Sequence, residues 1–167
     1  MAVQTGRTVS RWVNLVIDDS GGTIRDIPIN SLSVCGVQYT EQDVSAFQDA
    51  VMGALPGMPD APIEWSGPWD TTAVQSASGS AVAPALSGSH TVLSAIHGLM
   101  TPLTLDVQFG VRHTWETGEP QFGITSSATS GYWLQQYDVN ADDMTYTARA
   151  VLYPGSALPA WGTAAES

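Results

Sequence analysis

Lysine is absent from this chain of 167 residues, and its five basic residues are all arginine. Against 16 Asp and Glu they leave a formal net charge of −11. Without a basic stripe to neutralise phosphates, the chain lacks the salt-dependent attraction that drives most nucleic-acid binding, so specific DNA recognition is excluded. An acidic wall can still border DNA by repelling it. Charged residues of both signs make up 13 % of the chain, against the ~25 % of an ordinary soluble domain. The expected surface is polar but largely uncharged.

Cysteine is nearly missing too. Cys35 stands alone, which excludes an intrachain disulfide and a thiolate metal cluster. Between Val34 and Gly36 in an apolar stretch it is expected to be buried and inert. No apolar run approaches the ~18 residues that cross a bilayer, so no membrane partner is expected. The opening MAVQTGRTVSRW has no apolar signal-peptide core, and the expectation is a soluble chain made in the cytoplasm.

Chemical motifs are equally scarce. His90, His97 and His113 are the three histidines, and neither HExxH nor a Cys/His ligand spacing surrounds them. His97 is expected in a surface or capping role, and His113 as a half-buried strand residue. Ser87-Gly88-Ser89-His90 lacks the strand-to-helix elbow that exposes a nucleophilic hydroxyl beside a base. Glu116 and Glu119 share one hairpin tip, where solvent is expected to keep both carboxylates ionised rather than split them into acid and base. Asp138-Val139-Asn140-Ala141-Asp142-Asp143 begins like a calcium loop, but Asp143 takes the place of its glycine and Arg149 that of its closing glutamate. No phosphate-binding glycine loop is present. The expectation is a non-enzyme with no catalytic or metal-ligating residue and no cofactor.

What the chain does have is the vocabulary of strands and turns: 43 % hydrophobic residues, 16 glycines and 10 prolines. WVNLVID (Trp12 to Asp18), an Asp19-Ser20-Gly21-Gly22 turn and Thr23 to Ile29 read as a hairpin. A strand over Leu32 to Tyr39 changes face near Gly36, which marks a bulge. Leu103 to Trp115 alternates strictly, predicting one face in the core and Thr104, Asp106 and Gln108 in water. Further strands are expected at Ile63 to Trp69, Gln121 to Ser127, Tyr132 to Val139 and Met144 to Tyr153. Val92, Ile96 and Leu99 mark one helix over Thr91 to Met100 with Ser89 as its N-cap.

Seven or eight strands and one helix predict a mainly β fold, an antiparallel sandwich or barrel. Residues 11–154 form the expected single domain, with a long loop at 40–62 and a crossover loop at 71–89. A flexible arm at 1–10 and a tail at 155–167 flank it.

Asp43-Val44-Ser45-Ala46-Phe47, followed by Ala54-Leu55-Pro56-Gly57-Met58 and the strand Ile63 to Gly67, resembles the major tail (tail tube) proteins of long-tailed bacteriophages. In that family a D-V-T-x-F-G-D phrase and an L-P-G-L loop precede an alternating strand. Gln48 departs from the pattern where the family often has glycine, and Thr71 to Ser89 is longer than expected. The resemblance implies a β-sandwich subunit that closes into hexameric rings, which stack into a tube through which DNA leaves the virion without specific binding.

It also implies a homo-oligomer, with a tape measure protein and a tail terminator as further partners, located in the virion tail and assembled in the host cytoplasm. Phe47, Met52, Leu55 and Met58, costly to expose in a monomer, are the expected contacts to a neighbouring subunit. Asp106 is the expected lumen residue. A capsid decoration or head-tail joining protein is the nearest alternative. A carbohydrate-binding module stacking sugars on Trp65, Trp69 and Trp115 is a second.

Overall fold

The computed structural model describes residues 13–45, 54–74, 85–110 and 118–163. The chain opens as the expected hairpin of β1 (Val13–Asp18) and β2 (Ile24–Ile27), with Leu15 opposite Ile27. Asp19 builds the turn. Its Oδ1 accepts the amides of Gly21 at 2.8 Å and Thr23 at 3.0 Å, and its Oδ2 accepts Arg25 Nε at 2.8 Å. Gly22 sits at φ +77°, where a side chain would be strained. Burial alone would raise the Asp19 pKa, but the hydrogen bonds from Thr23, Arg25 and Gly21 outweigh it and hold the carboxyl below its ordinary value.

Two open sheets form the body. The first runs β12-β9-β8-β1-β2-β7 and brings together β8 (Leu105–Phe109), β9 (Pro120–Ile124), β12 (Ala160–Thr163) and the short β7 (Ala85–Leu86), which lies parallel to β2. The second runs β10-β11-β6-β3, from β10 (Tyr132–Asn140) through β11 (Thr145–Leu152) and β6 (Ile63–Pro68) to β3 (Ser31–Val34), antiparallel throughout. Neither closes on itself, so the fold is a sandwich rather than a barrel.

The core lies between these sheets. Leu15, Ile17, Leu105, Val107 and Phe122 come from the first sheet, and Ile63, Trp65, Leu134, Tyr146 and Ala150 from the second. Each fully buried Leu, Ile or Phe contributes ~1.5–3 kcal/mol relative to exposure. Tyr132 and Tyr146 bring hydroxyls into this layer and satisfy them on backbone carbonyls, Ala61 O and Pro28 O, each at 2.9 Å. Desolvation raises both phenol pKa values.

The helix α1 (Ser89–Ile96) closes one side of the sandwich with Val92, Leu93 and Ile96 buried. It starts earlier than the sequence pattern suggests, and its cap is Gly88, which offers no side-chain hydrogen bond. Ser89 is drawn away from capping because its hydroxyl donates to Pro68 O at 2.8 Å and accepts Asp70 N at 3.1 Å. Gly98 at φ +89° ends the helix before Pro102, which leaves Leu99 of the expected stripe exposed.

Two more differences bear on function. Thr104, Asp106 and Gln108, expected in water, are buried, so the six-stranded sheet is covered on both faces over this stretch. Within 40–62, read as aperiodic, lie the distal part of β4 (Gln38–Asp43) and all of β5 (Ala54–Asp60). Among the described residues these two pair with each other alone, as a separate two-stranded sheet. The single strand expected over Leu32 to Tyr39 is two: β3 ends at Val34, Gly36 takes φ +144° and β4 begins at Gln38 in another sheet, while the register slip of β3 lies between Leu32 and Val34. Likewise the tail carries β12, which completes one edge of the first sheet.

Candidate assembly surface

The β4–β5 hairpin is the part of the described chain with least cover. All six residues of β4 are exposed. On β5, Leu55 is 57 % and Met58 86 % exposed, and Tyr39 on β4 is 57 % exposed. A lone two-stranded ribbon is marginal in water, and these apolar side chains find no shelter in their own sandwich. Phe47 and Met52, the other two residues expected here, lie outside the described residues.

Local chemistry explains how the ribbon forms despite its prolines. The register slips between Tyr39 and Glu41, and Gly57 lies against the slip. A Cβ on Gly57 would run into Thr40 Oγ1 and would come within 2.8 Å of Thr40 O, so the glycine of the Leu-Pro-Gly-Met phrase is what lets the strands meet. Pro56 and Pro59 remove two amide donors from β5, whereas β4 keeps all of its own.

The outward face of the four-stranded sheet is polar and ordered in rows. Ser31, Ser66, Thr147 and Asp138 lie side by side across its strands, and Glu64, Arg149 and Gln136 form the next row. Arg149 Nε stands 3.4 Å from Glu64 Oε1, with both side chains more than a third exposed. Such a pair adds little stability but leaves the row without net charge.

Asp106, expected at a lumen, sits at 7 % exposure inside the protomer. It belongs to a polar layer on the far face of the six-stranded sheet. There Asn14, Gln108 and Gln121 stand in register across β1, β8 and β9, one row from Val16, Asp106 and Gly123. Asp18 anchors the layer's end, accepting Thr104 N at 2.7 Å and the Ser126 hydroxyl at 3.1 Å. Burial raises the Asp106 pKa, the hydrogen bond from Gln121 opposes that, and the charge of Asp18 adds to it.

A raised folded-state pKa means that the protonated form is favoured on folding. Its contribution is complete below the ordinary value of 3.8 and is lost as pH rises through the folded value. Asp106→Asn is therefore expected to raise the melting temperature at neutral pH by about 2–4 °C, the shift that ~1 kcal/mol produces in a domain of this size. In acid the difference should vanish, and thermal melts across pH check both statements.

The histidines and serines of the sequence motifs are bound up in packing. His90 Nδ1 lies 2.8 Å from Tyr137 Oη, and its ring stacks 5.1 Å from Trp69, fastening the first turn of α1 to β10. His97 caps the helix from an exposed position, as expected. Glu119 is buried rather than solvated at its turn, while Glu116, His113 and Trp115 lie outside the described residues. Trp65 is 2 % exposed and belongs to the core, so it offers no face to a sugar. Cys35, partly buried, has its thiol pushed up to about 11 by desolvation. Asn140 Oδ1 accepts Asp142 N at 3.1 Å, and Asp143 accepts the Thr145 hydroxyl at 2.7 Å. Among the described residues no three His, Cys, Asp or Glu side chains group as metal ligands. Nor is any helix among them long and apolar enough to cross a membrane.

Sequence reasoning missed one prominent surface residue. Trp161 on β12 is 61 % exposed, and its ring lies 5.1 Å from that of Phe122 and 5.4 Å from that of Phe109. It extends the apolar layer past the cover that the chain provides for it. Its signal was weak because Ala160, Gly162 and Thr163 around it show no apolar alternation.

No family model and no curated protein matches the sequence. Solved structures do share the fold. A chain of the anti-feeding prophage tube-terminating cap superposes with a TM-score of 0.57 at 10 % identity, covering 98 % of this chain and 95 % of that one. A chain of the PVC sheath-tube complex, from an extracellular contractile injection system in its extended state, gives 0.56 at 9 %, covering 98 % and 100 %. A chain of the six-fold symmetrised anti-feeding prophage baseplate gives 0.56 at 8 %, covering 95 % and 97 %. The fold of this protein is thus the one found in tail-tube-like assemblies, and it runs the length of the chain.

Proposed function

We propose that this chain is a structural subunit of a tail-like tube, which assembles with copies of itself into rings that stack, and performs no catalysis. The observation that carries this reading is the β4–β5 ribbon, which holds Tyr39, Leu55 and Met58 in water apart from the packed core of the sandwich. The fold shared with tube and cap structures supports it.

Strand order supports a ring. Among the described residues the four-stranded sheet ends at β3 and β10, the latter bridged to Leu103 at Tyr132 and open beyond it, and an even number of antiparallel strands makes those edges run in opposite directions. The β10 edge of one copy can therefore continue antiparallel into the β3 edge of the next, a head-to-tail contact that closes by rotation. A hexamer is the ring size proposed. The polar rows around Ser66 and Thr147 would then line the channel. The net charge of −11 suits a conduit that releases DNA rather than holding it. Other tail proteins, a tape measure inside and a terminator at the end, are its proposed neighbours in a virion or virion-like particle put together in the host cytoplasm.

Light scattering of the purified chain over a concentration series, with negative-stain electron microscopy, tests this. Rings or tubes are expected above a threshold concentration. A monomer at every concentration overturns the reading.

A further inference from the structure

Two uncovered features of this chain match each other. The first is the β4–β5 hairpin, with an open, proline-free β4 edge and exposed Tyr39, Leu55 and Met58. The second is β12, the open edge of the six-stranded sheet, where Trp161 stands exposed over Phe109 and Phe122. We propose that the β4 edge of one copy adds to the β12 edge of a second copy, seating Leu55 and Met58, which share the Gln42 face of the ribbon, against Trp161. This rests on the self-assembly proposed above and names the second interface, distinct from β3–β10 closure, that a stacked assembly requires.

Three arguments select this occupant. Backbone is the first: among the described residues β12 and β4 each have a strand partner on one side alone and contain no proline, which is what strand addition needs. Charge is the second. The hairpin carries Glu41, Asp43 and Asp60 and no cation, so in a chain of net charge −11 it must dock where carboxylates are sparse. Among the described residues β12 has none, and Glu119, at the start of the neighbouring β9, is buried. Side-chain chemistry is the third: a methionine thioether gains from contact with an indole beyond the area it buries.

The experiment is site-directed cross-linking in a Cys35→Ser background, with cysteine introduced at exposed Gln42 and Thr163 so that the anchoring side chains stay in place. Chains carrying both Gln42→Cys and Thr163→Cys, assembled and treated with a short bis-maleimide, are expected to give a denaturing-gel ladder beyond dimer. A mixture of the two single variants is expected to give dimer only. Trp161→Ala, which also uncovers Phe109 and Phe122 within the protomer, should lower the melting temperature by about 2–4 °C and raise the concentration needed for assembly at least tenfold. Assemblies that form normally yet give no ladder, or Trp161→Ala assembling at the parent concentration, overturn this interface and leave the tube reading standing. A parent chain that never assembles overturns both.

Discussion

The double variant Leu55→Asp, Met58→Asp is expected to stay folded and monomeric at concentrations where the parent chain forms rings or tubes. The exposures of 57 % and 86 % decide the first half: these side chains contribute almost nothing to the protomer's own core, so its melting temperature should hold within about 1 °C. The second half follows from what a contact would bury. Covering a large apolar side chain is worth ~1.5–3 kcal/mol, and two of them together are worth about a 100-fold or larger change in threshold concentration. Introducing carboxylates adds the cost of desolvating them at a contact. Sedimentation velocity on matched samples reads the outcome. Assembly of the variant at the parent's threshold would show that the hairpin is not an interface.

Why these residues could be found in the sequence, and others could not, has a physical basis. Leu55 and Met58 were legible because apolar residues without a strand or helix period have no face of their own to bury. The same lack of period hid the strands that carry them. β4, Gln-Tyr-Thr-Glu-Gln-Asp, is polar on both sides because neither side packs on the sandwich, and β5 carries two prolines that ordinarily argue against a strand. The β1–β2 hairpin and the β10–β11 pair showed clearly, since each joins alternating residues to a turn of defined chemistry, whereas the break at Gly36 read as a bulge within one strand.

Asp106 marks the opposite case. Alternation in β8 separated two faces correctly, but it reports only that one face is apolar, not that the polar face meets water. A polar layer buried against Asp18, Gln121 and Ser126 reads like a solvated surface in one dimension. Burial of that layer depends on partners far away in the chain, such as Thr104 N on Asp18, which no local pattern encodes.

That buried layer also leaves Gly123 no room for a side chain. A valine there is expected to lower stability by on the order of 3 kcal/mol or more, the upper range of overpacking, and so to cut the melting temperature by roughly 10 °C. A Cβ on Gly123 would collide with Asp106 Oδ1 and with the Leu105 carbonyl oxygen, and would lie 2.7 Å from Asp106 Cα. Backbone of a central strand, hydrogen-bonded to β1 on its other side, cannot retreat. The sign of the effect is what discriminates, because strand propensity favours valine over glycine and on its own predicts a gain. Gly162→Ala is the control: one strand away, its Cβ would meet nothing within 4 Å, and no loss is expected. Thermal melts of the two variants decide the matter, and a Gly123→Val protein as stable as the parent would mean that β8 and β9 do not approach as closely as described.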